Sequence, residues 1–176
     1  MEQTAQRYAG PPPAHGAVLP SDGWERTLTI LVVEDDLAVA ELLRAAINGT
    51  PGWGAIVVNN ARSALEVLRY VPVDLLVLDV DLPGMSGPQL LDEFRREAKR
   101  EVPPAIFMSA GGVRSDVERA LQTGKVERFI AKPFDLDEMV GAMRAATQAR
   151  RRTTGFRPGR AVAPRYQAAA YRWGAA

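Results

Sequence analysis

The stretch Asp74-Leu75-Leu76-Val77-Leu78-Asp79-Val80-Asp81-Leu82-Pro83-Gly84-Met85 constrains this chain more than any other. Leu75 to Leu78 is apolar at every position, so burial is required on both faces, and such a run suits a strand inside a parallel sheet. The run ends at Asp79, a second acid follows at Asp81, and Pro83-Gly84 turns the chain. In open α/β sheets ligands bind beyond the carboxyl ends of the strands, where strand order reverses. Asp79 therefore stands where this architecture places chemistry.

The rest of the chain repeats the pattern. Leu28 to Val33 is β-branched and apolar and runs into Glu34-Asp35-Asp36. Leu37, Ala40, Leu42, Leu43, Ala46 and Ile47 then recur at helical spacing until Asn48-Gly49. Asp36 is placed to cap that helix, but a cap does not require three consecutive acids. A second strand is predicted at Ala55 to Val58 and a second helix at Ala61 to Tyr70. After the Asp79 strand come a helix over Gly87 to Lys99, a strand over Ala105 to Met108, and a helix over Val113 to Thr123. The last pair is a strand over Glu127 to Ala131 and a helix from Asp135 to about Gln148, with Asp135 and Glu138 at capping-box spacing. Five strand–helix repeats with right-handed crossovers predict an α/β fold, a doubly wound five-stranded parallel sheet in the flavodoxin-like order 2-1-3-4-5.

In that order the first and third strands are neighbours. Glu34 and Asp35, Asp79, Ser109 and Lys132 then converge at one sheet edge. Clustered carboxylates resist ionising together, and a hard divalent cation resolves the conflict. Mg²⁺ prefers oxygen ligands and keeps several waters, so Asp35 and Asp79 are expected to bind it directly and Glu34 through water. A lysine and a hydroxyl opposite can hold phosphoryl oxygens, and Asp79 can serve as the nucleophile. Rival chemistries are excluded by composition. The chain has no cysteine and a single histidine, His15, which removes thiolate sites, a Ser-His-Asp triad and multi-histidine metal sites. A net charge of +1 provides no global field for nucleic acid or a membrane surface. No apolar run approaches the ~20 residues of a membrane span, and no signal-like start argues for secretion, so a cytoplasmic location is expected.

Four segments, in order, resemble the receiver domain of bacterial two-component response regulators: Leu31 to Asp36, Asp74 to Gly87, Met108-Ser109-Ala110, and Phe129 to Phe134. The resemblance covers about Leu28 to Gln148. It implies that Asp79 is the phosphorylated aspartate, that Asp35 is the direct Mg²⁺ ligand with Glu34 as the second acid, and that the Asp81 backbone carbonyl is the remaining protein ligand. It implies that Lys132 pairs with the phosphoryl group, with a cis bond to Pro133. Ser109 corresponds to the hydroxyl that swings to the phosphoryl oxygen, and Phe129 to the aromatic switch. The resemblance further implies a signalling phosphoacceptor and not an enzyme. Its phosphodonor is a histidine kinase or histidine phosphotransfer protein, its target another protein. The resemblance also allows a homodimer through the face of the fourth helix, fifth strand and fifth helix. Four positions depart from the pattern: Phe129 lacks a hydroxyl, Ser109 is the smaller alternative to threonine and freer at χ1, Asp81 adds a second acid side chain near Asp79, and Lys125 replaces a small apolar residue, which predicts a looser join there.

Residues 1–26 are polar and proline-rich and read as a disordered arm. Residues 149–176 carry seven arginines, no acids and four aromatics, and read as a basic, disordered tail. With residues 27–148 as the receiver, the chain reads as a single-domain regulator that signals through protein contacts. Two alternatives stand beside it: a DNA-binding regulator using the basic tail, and a haloacid-dehalogenase-like phosphatase using Asp79-Val80-Asp81.

Overall fold

The computed structural model describes residues 27–97, 101–124 and 126–154. The N-terminal arm with His15, the end of the third helix at Lys99, Lys125, and the tail from Gly155 onward lie outside the described residues. The element order is β1 (Leu28–Val33), α1 (Leu37–Gly49), β2 (Trp53–Val58), α2 (Ala61–Tyr70), β3 (Leu75–Asp79), α3 (Gly87–Glu97), β4 (Ala105–Ser109), α4 (Ser115–Gln122), β5 (Arg128–Ala131) and α5 (Leu136–Thr154). The strands form one parallel sheet in the order β2-β1-β3-β4-β5, as predicted.

Strand alternation divides the core in two. Leu31, Val33, Leu76, Leu78, Ala105 and Phe107 pack with residues of α2, α3 and α4. Ile30, Val32, Leu75, Val77, Ile106 and Met108 pack with residues of α1 and α5. Every residue of β3 is buried. Leu75, Leu76, Val77 and Leu78 each contribute roughly 1.5–3 kcal/mol on burial, which holds β3 at the sheet centre and carries Asp79 to its edge. Asp74, at the entry to β3, is also buried, and an unpartnered carboxylate there would cost several kcal/mol. The Thr29 N–H donates to Asp74 Oδ2 at 2.8 Å and the Asp74 N–H donates back to the Thr29 carbonyl at 2.8 Å, which locks β3 against β1.

Several details differ from the sequence reading. In α1, Ala40, Leu43 and Ile47 are buried, but Leu37 and Leu42 face outward, 74% and 46% exposed. The helix is narrower in its buried stripe than its apolar content implies. Strand β2 starts at Trp53, two residues earlier than Ala55, because it pairs with β1 from Leu28 onward. Helix α4 starts at Ser115 and not at Val113, which is 56% exposed. Gly112 has φ +77° and Arg114 is extended, so the chain is still turning there. Helix α5 ends at Thr154 and not near Gln148. Ala149 and the arginines after it are good helix formers, arginines suit the negative helix end, and no glycine or proline intervenes before Gly155.

The helix starts follow the sequence. Asp36 Oδ1 accepts from the N–H groups of Ala38 and Val39, and Asp135 Oδ1 accepts from those of Asp137 and Glu138. Among the described residues no helix is long and apolar enough to cross a membrane.

Candidate functional site

Register brings the site together. Val33 lies opposite Leu78 on β3, so the next residues, Glu34 and Asp79, come level at the carboxyl edge. Ser109 lies opposite Ala131, one residue before Lys132. Strand order reverses between β1 and β3, which opens the crevice there. Continuing the alternation, Glu34, Asp79 and Lys132 project to the side of α1 and α5. Ser109 and Phe129 project to the side of α2, α3 and α4.

The first set is an ion cluster. Lys132 Nζ donates to Glu34 Oε1 at 2.8 Å and to Asp79 Oδ2 at 2.9 Å. Glu34 is fully buried and Asp79 nearly so. Asp79 Oδ1 accepts from the Asp81 N–H at 3.1 Å, and Glu34 Oε1 also accepts from the Asp36 N–H at 3.2 Å. Glu34 Oε2 lies 2.6 Å from the same ammonium as an ion pair, yet it has no directed hydrogen bond. Burial pushes the Glu34 carboxyl above its ordinary range, the Lys132 hydrogen bond pulls it back, and the Asp79 charge adds to the rise. Burial works against the Lys132 charge, but its bonds to Glu34 and Asp79 outweigh that and hold the ammonium above its ordinary value. Lys132–Pro133 is cis, as the resemblance implies.

Carboxylate oxygens of Glu34, Asp35 and Asp79 lie within 4.8 Å of one another, with Asp35 exposed at the mouth. An all-oxygen donor set of three carboxylates converging at the strand edge fits a hard divalent cation. Two buried acids share one lysine, so the metal-free site is over-supplied with negative charge.

That imbalance has a measurable sign. In EDTA, Glu34→Gln is expected to raise the melting temperature by roughly 3–5 °C, on the order of 1 kcal/mol for a domain of this size. Lys132 keeps Asp79 as partner, so the change does not strand a buried ammonium. Because the folded carboxyl is raised, its ionised form costs stability at neutral pH. That cost is relieved as pH falls through the raised value toward the ordinary one, so the gap between variant and wild type narrows with acidification. Thermal melts across that range are the check. A variant less stable than wild type at neutral pH would show that the Glu34–Lys132 pair outweighs its burial.

The second set is joined through Asp81. Ser109 is fully buried, and its hydroxyl donates to Asp81 Oδ2 at 2.7 Å while accepting from the Gly111 N–H at 2.9 Å. Arg114 Nη1 donates to Asp81 Oδ1 at 3.1 Å, and its Nη2 donates to Asp116 at 3.3 Å. Phe129 is half-buried against the core of α2, α3 and α4. The structure thus gathers Glu34, Asp35, Asp79 and Lys132, and engages Ser109 with Asp81 instead. Sequence reasoning singled out Asp81 for its backbone carbonyl and as an extra acid side chain near Asp79; the contact of that carboxylate with Ser109, and Arg114 altogether, carried no local signal.

A doubly wound sheet with an acid–lysine cluster at its switch edge defines a signalling receiver. Over residues 30–144 the chain matches the family described as Response regulator receiver domain, and it belongs to that family. Receivers are phosphoacceptors and not classical enzymes, so the haloacid-dehalogenase reading is set aside. The family also implies a histidine kinase partner. The response regulator Rre1 of Synechocystis sp. is 29% identical over 117 residues, covering 66% of this chain and 50% of that protein. The DNA-binding response regulator MtrA of Mycobacterium tuberculosis is 34% identical over 116 residues, covering 66% and 49%. The chain therefore spans about half the length of these curated relatives. Among solved structures, a sensor protein from Polaromonas sp. JS666 is 25% identical with TM-score 0.62, covering 69% of this chain and 97% of that one. The signal receiver domain of an HD domain-containing protein from Pseudomonas fluorescens Pf-5 shares the fold at 24% identity and TM-score 0.65, covering 72% and 99%.

Proposed function

We propose that this chain accepts a phosphoryl group from a phosphohistidine partner onto Asp79 in a Mg²⁺-dependent reaction, and so switches a protein-interaction face. The observation that carries the reading is Lys132 Nζ bridging Glu34 and Asp79 beside a third carboxylate, Asp35. Asp35, Asp79 and the Asp81 backbone carbonyl would hold the ion, with Glu34 reaching it through water. Bound there, Mg²⁺ supplies charge neutralisation at the phosphoryl oxygens. An oxygen of Asp79 attacks phosphorus as the bond to the imidazole nitrogen breaks, and the electron pair leaves with the histidine. Lys132 steadies the charge that develops on the phosphoryl oxygens. Ser109 and Phe129, on the opposite side of the strands, carry the change toward α4, β5 and α5 as a population shift.

The phosphodonor is a histidine kinase or histidine phosphotransfer protein in the cytoplasm. The output is contact with another protein, or with a second copy through the face of α4, β5 and α5. Residues 1–26 and the arginine-rich segment beyond α5 lie outside the receiver proper. The likeness to MtrA, a DNA-binding response regulator, favours a second reading of the output, binding to DNA, which is tested by truncating the chain after Gln148 and following salt-dependent DNA affinity.

Intact-protein mass spectrometry with acetyl phosphate tests the central claim. One added phosphoryl group is expected in wild type with Mg²⁺, and none in Asp79→Ala or in EDTA. Absence of the adduct in wild type, with beryllofluoride binding absent as well, would leave a phosphorylation-independent interaction module.

A further inference from the structure

The Ser109 hydroxyl has one proton, and that proton is already committed. It donates to Asp81 Oδ2 at 2.7 Å, while its oxygen accepts from the Gly111 N–H. Ser109 is fully buried. Asp81 is itself gripped from outside, because the Arg114 guanidinium bonds Oδ1 and bridges on to Asp116 in the first turn of α4. A chain of charge-assisted bonds thus runs from Ser109 through Asp81 and Arg114 to the start of α4. A hydroxyl cannot donate its single proton to both Asp81 and a phosphoryl group on Asp79.

We propose that Asp81 is a positioning residue that competes with the phosphoryl group for the Ser109 proton, and that Arg114 ties this competition to the start of α4. The inference rests on the phosphoacceptor reading and adds a regulatory element to the same site. In the unphosphorylated chain the Asp81 carboxylate holds Ser109 on the α4 side. Transfer of the Ser109 hydrogen bond to the phosphoryl oxygen leaves Asp81 with Arg114 alone and loosens the Arg114–Asp116 region. A hydrogen bond to an ionised acceptor contributes enough to bias such an equilibrium by an order of magnitude.

The test uses beryllofluoride, a tetrahedral phosphoryl mimic, with Mg²⁺ and the full chain. Its apparent affinity is measured for wild type, Asp81→Ala, Asp81→Asn, Ser109→Ala and the Ser109→Ala/Asp81→Ala double variant. Asp81→Ala is expected to bind about tenfold more tightly than wild type, because Ser109 is released. Asp81→Asn keeps an acceptor for Ser109 and is expected to stay closer to wild type. In the Ser109→Ala background the Asp81→Ala gain is expected to vanish. A gain that persists without Ser109, or is equal in Asp81→Asn, would reduce Asp81 to a repelling charge and overturn the latch. Equal affinity in wild type and Asp81→Ala would overturn it too. No binding by wild type would overturn the phosphoacceptor reading and the latch with it. Hydrogen exchange over Val113 to Val117 reports the Arg114 tie. It should rise on beryllofluoride binding in wild type and be raised already in unliganded Asp81→Ala; unchanged exchange in both would sever α4 from the latch.

Discussion

Lys132→Ala is expected to slow phosphorylation of Asp79 by on the order of 10²-fold at saturating Mg²⁺, the usual scale for removing one aimed donor from a charge-developing site. The lysine is the only cation the structure places on Asp79 and Glu34 among the described residues, at 2.9 Å and 2.8 Å. Its loss also leaves two buried carboxylates side by side. Breaking a buried pair costs roughly 3–5 kcal/mol at most, so the metal-free variant should melt well below wild type. A divalent ion can restore the missing positive charge, so added Mg²⁺ should raise the variant's melting temperature more than it raises that of wild type. The two effects separate on one protein: stability recovers with Mg²⁺, while the phosphorylation rate does not. Time-resolved mass spectrometry with acetyl phosphate and parallel melts check both. A rate within a few-fold of wild type would remove Lys132 from the proposed transfer step and leave it a structural counter-ion.

Gly87→Ala is the second large effect, and it arises from the backbone. A Cβ at Gly87 would lie 2.4 Å from the Asp79 carbonyl oxygen, 3.2 Å from its carbonyl carbon and 3.3 Å from Val80 Cα. All three are main-chain atoms and cannot rotate away. The Gly87 N–H also donates to the Val80 carbonyl at 3.1 Å, so the first turn of α3 is bound to the strand it would collide with. Overpacking of this kind costs about 3 kcal/mol, which for this domain is a fall of roughly 10 °C or more in melting temperature. Gly141→Ala is the matched control. Nothing lies within 4 Å of its Cβ, it sits inside α5, and the same substitution there should stabilise by about 0.5–1 kcal/mol. Phosphorylation of the surviving folded Gly87→Ala protein should also be impaired, since Asp79 and Val80 must shift. A variant that melts like wild type would mean that α3 can retreat from the strand.

Much of this molecule is legible from residue order. The fully apolar run before Asp79 could only be a central strand, and the strand–helix repeat then placed it beside β1. Once that order is granted, Glu34, Asp79 and Lys132 must converge, because a parallel sheet aligns every carboxyl end. Periodicity failed where side chains satisfy a pattern without being used by the core. Leu37 and Leu42 fit a helical stripe yet face outward. Val113 belongs to a loop because Gly112 turns the backbone just before it. The arginines after Gln148 looked like a solvated tail, yet helix propensity carries α5 on to Thr154. The partners of two carboxylates were beyond reach for another reason. Asp74 is committed to the Thr29 amide and Asp81 to Ser109 and Arg114, contacts between residues 28 or more apart that no local pattern encodes.

The alternation that splits the core also splits the labour of the site. Glu34, Asp79 and Lys132 belong to one side of the sheet, and Ser109 and Phe129 to the other. The strands part the acid–lysine cluster from the Ser109–Asp81–Arg114 linkage, and α5 and α4 pack on opposite sides of that divide. Asp81 is the doorway: its backbone N–H opens on the Asp79 side and its carboxylate on the Ser109 side. A change at that single position is felt in both rooms.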